Sequence, residues 1–141
     1  MVSKTCEYAI RATIYVAGIS MQAKKASIIE IADAIGSPVP FTGKILQLLS
    51  RKKILSSIKG PHGGFYIKDD HEIYLIDIVR AVDGNELFTA CSMGLKHCSD
   101  CQPCPMHHQV KPIKAQLLKE LSKNSINEMV HNYEKRRYFL K

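Results

Sequence analysis

Apolar positions recur at helical spacing in six stretches of this chain, interrupted once by two short runs of β character. Ile10, Ile14 and Ala17, flanked by Ala9, Thr13 and Val16, predict a first amphipathic helix over residues 4–19. After the polar MQAKKA, Ser27 and Glu30 make a capping box, in which each side chain satisfies a free amide of the next helix's first turn. Ile28, Ile31, Ala32 and Ile35 form its apolar face, and Gly36 ends it. Ser37, Pro38 and Pro40 punctuate a tight connection into a third helix. Its predicted buried stripe is Phe41, Ile45, Leu48 and Leu49, which turns Thr42, Gly43, Lys44, Gln47 and Arg51 outward.

The runs LSSIK and FYIK, joined through Gly60, Pro61, His62, Gly63 and Gly64, predict a hairpin whose tip is almost free of bulky side chains. Helical spacing returns with Leu75, Ile78, Val79 and Val82, up to Gly84. Beyond a cysteine-rich loop, Val110, Ile113, Leu117 and Leu121 mark a fifth helix. A second capping box, Ser125 with Glu128, opens a sixth on Ile126, Met129, Val130 and Tyr133. The expected fold is mainly α with a small β-hairpin. A winged helix-turn-helix domain occupies residues 1–84, a cysteine-rich sensor loop 85–108 and dimerisation helices 109–141. The last two helices have no sheet to cover their stripes, so a second copy of the chain is the expected partner.

Charge sharpens this picture. Residues 1–68 carry ten Lys or Arg against Glu7, Glu30 and Asp33, whereas residues 69–141 balance ten against ten. All of the net charge of +7 therefore lies in the half that holds the helix-turn-helix pattern, where a polyanion would be engaged. Thr42, Lys44 and Gln47 are the candidate base and nearby phosphate contacts in a major groove. Arg51, with Lys52 and Lys53, is placed to hold phosphates. Lys59 beside the glycines suits a narrow minor groove, and His62 at the tip is a candidate phosphate contact. Arg136 and Arg137 read as a solvated helix end, and His131 as a surface or packing histidine. No apolar run reaches membrane-spanning length and the first residues lack a secretion signal, so a cytoplasmic protein with reduced thiols is expected. No phosphate-binding glycine loop or Ser/His/Asp arrangement suggests an enzyme.

Four of the five cysteines and three of the six histidines fall between Cys91 and His108. Soft thiolates crowded on a loop suit iron, zinc or redox sensing, and a packed core has no use for them. The local spacing of Cys98, Cys101 and Cys104 is C-x2-C-x2-C. Four thiolates could close an all-cysteine iron–sulfur cluster or a zinc site, and His97 and His108 add donors. A thiol oxidoreductase built on Cys98 and Cys101 would need a helix N-terminus that Pro103 and Pro105 argue against. Cys6, on the first helix, reads as a half-buried structural thiol.

The opening SKTCEYAIRA, the segment ILQLLSRKKILSSIKGPHGGFYI, the segment IYLIDIVRAVDG and the cysteines at 91, 98 and 104 together resemble the IscR/NsrR/CymR family of bacterial transcription regulators, over nearly the whole chain. The resemblance implies a homodimer, joined through the helices after the loop, on a palindromic operator in double-stranded DNA. It also implies an iron–sulfur cluster, 2Fe–2S or 4Fe–4S, on Cys91, Cys98 and Cys104. Its fourth ligand would be His107, or Glu7 given by the partner subunit. Cys101 departs from that three-cysteine pattern. The expected function is a regulator that senses iron–sulfur status, nitric oxide or redox state. The alternative is a zinc-bound or cofactor-free regulator, or a protein-interaction module, of the same fold.

Overall fold

A computed structural model describes residues 1–136 together with 139 and 140. The chain runs α1 (Lys4–Met21), α2 (Ile28–Ile35), α3 (Val39–Arg51), β1 (Ser56–Ile58), β2 (Gly64–Tyr66), α4 (Leu75–Asp83), α5 (Glu86–Thr89), α6 (His107–Lys123) and α7 (Ile126–Arg136). α1 is the spine, against which α2, α3, α4, α7 and β2 all pack. Its buried face is Cys6, Ala9, Ala12, Thr13, Val16 and Ala17. Ile10 and Ile14, expected at the centre of that face, are only half-buried on its flank. Small side chains let several neighbours approach at once, and the Thr13 hydroxyl is satisfied by donating to the Ala9 carbonyl at 2.8 Å.

The Ser27 capping box forms as the spacing predicts: Glu30 N–H donates to Ser27 Oγ at 3.3 Å and Ser27 N–H to Glu30 Oε2 at 2.7 Å. Gly36 ends α2 in the left-handed region at φ 63°. α3 then buries Thr42, Ile45, Leu46 and Leu49, while Phe41 and Leu48 are half-buried. Its stripe is therefore rotated from the predicted one. Threonine can sit inside because its hydroxyl donates to the Pro38 carbonyl at 3.0 Å, one turn back.

The hairpin pairs Ser56 with Tyr66, Ser57 with Phe65 and Ile58 with Gly64, in antiparallel register. Its root is fixed by two backbone bonds between Ala26 and Phe65, at 2.8 and 3.0 Å. Glycine is required where the chain turns back: a Cβ on Gly63 would stand 2.0 Å from the Ile58 carbonyl oxygen, and one on Gly64, at φ +142°, 2.8 Å from that of Ala26.

α4 buries Leu75, Ile76, Ile78 and Val79, and Gly84 follows at φ 74°. The short α5 has no counterpart in the periodicity. α6 starts at His107, which is its buried residue. Of the stripe expected on α6, Ile113 is 66% exposed, and Val110, Leu117 and Leu121 are half-buried. α7 returns to the body, where Ile126 and Val130 are buried. Its start is tied to the start of α4 by Ile126 N–H donating to the Ile73 carbonyl at 2.8 Å and Leu75 N–H to that of Asn124 at 3.1 Å. Ser125 caps α7 by accepting from Glu128 N–H at 3.2 Å. The side chains of Tyr133 and Arg136, and all of Arg137, lie outside the described residues.

Replacing Ser27 with Ala is expected to cost about 1 kcal/mol in urea denaturation. The Ser27 backbone amide, and then its hydroxyl, hold the Glu30 carboxyl below its ordinary 4.5. The stability that the charged Glu30 contributes is thus complete above that value and is lost as pH falls through the lowered one. The Ser27→Ala penalty should therefore be largest near neutrality and shrink at pH below 4.5.

Candidate functional site

Two surfaces carry the candidate residues. On the first, Lys44, Gln47 and Arg51 are exposed on α3 together with Pro40, one turn apart along the face opposite the buried stripe. Lys52 and Lys53 continue the basic run beyond the helix, and Lys59 and His62 are exposed at the wing tip. Thr42 is the correction: it is fully buried, so it cannot meet a base edge. The orientation of α3 is held from behind. The Phe41 ring meets Tyr8 edge-on at 5.5 Å between centroids, and the Arg11 guanidinium lies 4.2 Å over the Tyr8 ring. Arg11 also donates to the Ile35 carbonyl at 3.3 Å, so this cation works inside the fold. Its place among apolar residues of the first helix was the available signal.

The second surface is the loop between α5 and α6. Cys91 is buried beside the backbone amides of Met93 and Leu95. Those amides, then the Cys104 thiol and the charge of Lys114, hold the Cys91 thiol below its ordinary range, which favours thiolate. Lys114 also donates to the Ala90 carbonyl, fastening α6 to the end of α5. Cys98 Sγ lies 3.4 Å from His107 Nδ1. The other ring nitrogen of His107 is 2.8 Å from Asp100 Oδ1. Lys111 donates to both oxygens of Asp100 at 2.6 Å. Lys111 first, and His107 second, bring the Asp100 carboxyl down to about 2.

Cys98, Cys104 and His107 share the wall of a cavity of 220 Å³, beside the apolar Phe88, Val110 and Leu118. The loop thus brings Cys91 to Cys104 and Cys98 to His107. Among the described residues, no three His, Cys, Asp or Glu groups converge closely enough to hold a metal ion as they stand. Cys101 is exposed and apart from these pairs, and its N–H donates to Ser99 Oγ at 3.1 Å. Glu7 lies on α1 in an ion pair with Lys4 at 2.7 Å. His97 is exposed, and the His108 ring packs edge-on against His107 at 5.3 Å. Cys6 is fully buried rather than half-buried, and burial, with Asp83 adding to it, pushes its thiol up to about 12. Asp100, Lys111 and Lys114 escaped the sequence reading. Asp100, between two cysteines, was the one with a visible signal.

Comparison with known proteins places this arrangement. The sequence profile of the Rrf2 family, described as an iron-dependent transcriptional regulator, matches residues 2–132. A protein of Aquifex aeolicus (strain VF5), provisionally named an HTH-type transcriptional regulator, is 29% identical over 136 residues, covering 94% of this chain and 93% of its own. The HTH-type transcriptional regulator IscR of Photorhabdus laumondii is 27% identical over 128 residues, covering 90% and 77%. The solved structure of T. potens IscR superposes with a TM-score of 0.76 at 18% identity, over 98% of this chain and 91% of that one, which shows the winged helical fold expected. The family and these relatives are transcriptional regulators and not enzymes, which removes the oxidoreductase alternative. Among the described residues, no helix is long and apolar enough to cross a membrane.

Burial separates two neighbours on α3. Thr42→Asp places an unpaired carboxylate in the core and should cost about 3–5 kcal/mol in chemical denaturation. Lys44→Asp, on the exposed face, should stay within about 0.5 kcal/mol of wild type.

Proposed function

The chain belongs to the Rrf2 family of transcriptional regulators, and from that membership we propose that it is a cytoplasmic homodimer that grips double-stranded DNA and tunes the grip through an iron–sulfur cluster on its cysteine loop. The observation that carries the sensor half is the meeting of Cys98, Cys104 and His107 on the wall of one cavity, with Cys98 Sγ 3.4 Å from His107 Nδ1. Thiol sulfurs and an imidazole brought together on a loop are the donor types that such a cluster takes.

In this reading residues 1–84 bind DNA, 85–108 sense and 109–141 dimerise. Lys44 and Gln47 face the major groove, with Arg51 on a phosphate, and Lys59 and His62 follow the wing toward the minor groove. Two copies of α3, related by a two-fold axis, would meet a palindromic operator. Support for the dimer is the uncovered stripe of α6, above all Ile113 at 66% exposure.

The donor set fits a cluster of 2Fe–2S or 4Fe–4S type: soft sulfurs from Cys91, Cys98 and Cys104, with His107 as the fourth ligand. His107 is favoured over Glu7 and Cys101 because it shares the cavity of Cys98 and Cys104. When bound, the cluster supplies a core that oxidants, nitric oxide or iron shortage can alter. The protein's own part is mechanical. His107 is the first residue of α6, Asp100 ties the loop to His107 and Lys111, and α6 packs on α4, which packs on α1 and α3. A change in the loop therefore bears on the helices that present the DNA face, and shifts binding by the free-energy difference it makes between the two states.

The incomplete convergence of donors favours a second reading, a cofactor-free or zinc-bound regulator or interaction module of the same fold. Iron and acid-labile sulfide measured on anaerobically purified protein separate the two. The cluster reading expects both in stoichiometric amounts, lost in Cys91→Ala, Cys98→Ala and Cys104→Ala, weakened in His107→Ala and kept in Cys101→Ala. Zinc, or no metal, in the anaerobic wild type would overturn it. Sedimentation should show a dimer that Ile113→Glu dissociates, and affinity for duplex DNA should fall steeply with salt.

A further inference from the structure

A crevice lies between the end of α3 and the strands of the wing. Ser50 from the last turn of α3, Lys53, Ser56 and Ser57 from β1, Lys68 and His71 line that crevice. No described Asp or Glu lines it.

One of its residues carries a cost for which the fold shows no return. Lys53 stands at φ 60°, immediately after α3 closes. Its N–H donates to the Ser50 carbonyl at 3.0 Å and Ile54 N–H to that of Leu49 at 2.9 Å, the pattern in which the left-handed residue is usually glycine. The chain instead puts a cation there, exposed and facing the crevice. A cation held at a strained position suits an anion from outside the chain.

We propose that the crevice at the root of the wing is a seat for a DNA phosphodiester, neutralised by Lys53 and Lys68 and hydrogen-bonded by the hydroxyl of Ser57. This rests on the DNA-binding reading above and extends it from the tip of the wing and the face of α3 to the strand that passes between them. The seat holds the duplex in register and reads no sequence.

The test is fluorescence anisotropy of the intact protein on a labelled duplex of mixed sequence, across a range of KCl, with thermal unfolding of every variant. Lys68→Ala and Lys53→Gly should each flatten the plot of log affinity against log salt, and together by about 0.9 per seat. Lys53→Gly should do so without lowering the unfolding midpoint, because relief of the left-handed lysine offsets the greater freedom of glycine in the unfolded chain. Ser57→Ala should weaken binding about fivefold at every salt concentration, again with the midpoint maintained. Wild-type slope and affinity in both lysine variants, alongside weakened binding by Lys44→Ala, would overturn the seat and leave the DNA-binding reading standing. A wild-type protein that binds no duplex at any salt would overturn both.

Discussion

The close packing of helices on the small-residue face of α1 is the constraint from which the rest of the structure follows. Ala9, Ala12 and Ala17 leave room for α2, α3, α4 and α7 to approach one spine, and Val16 and Thr13 fill what remains. Larger side chains at those positions would push the neighbours out and change the angle at which α3 is presented. The edge-on contact of Tyr8 with Phe41, and the Arg11 guanidinium over Tyr8, fix that angle from the same helix. The wing is tied to the segment just after α1 by the backbone bonds of Ala26 to Phe65. One helix thus positions both elements of the DNA face.

The cysteine loop stands at the other end of the same framework. Its polar contacts run into α6 through His107, Lys111 and Lys114, and α6 reaches the spine through α4. α7 closes the circuit, since its start is bonded to the start of α4 and its apolar residues pack on α1. A loop built in this way is cheap to rearrange, because its side chains are mostly exposed and its ties are few, and it is still mechanically joined to the core.

Much of the fold was legible in the sequence where a local rule suffices. The Ser27–Glu30 and Ser125–Glu128 spacings marked helix starts, Gly36 and Gly84 marked ends, and the glycines between residues 60 and 64 marked the wing. Each of these depends on backbone chemistry within a few residues. The rotation of α3 was not legible, because Phe41 and Leu48 are as apolar as Leu46 and periodicity alone cannot rank them. Nor was α5, whose four residues are too short to show a period.

The candidate site divides along the same line. The chain by itself determined that a basic half precedes a thiol-rich loop, and that Lys44, Gln47 and Arg51 share a polar helix face, since charge and helical spacing are written residue by residue. Only the tertiary structure decided that Thr42 turns inward, that Arg11 serves the core, and that Cys91 meets Cys104 while Cys98 meets His107. Those outcomes depend on which neighbour each side chain meets. Spacing limits how far a loop residue can reach, whereas the packing of α6 on α4 and of α5 on α6 selects which thiols come together.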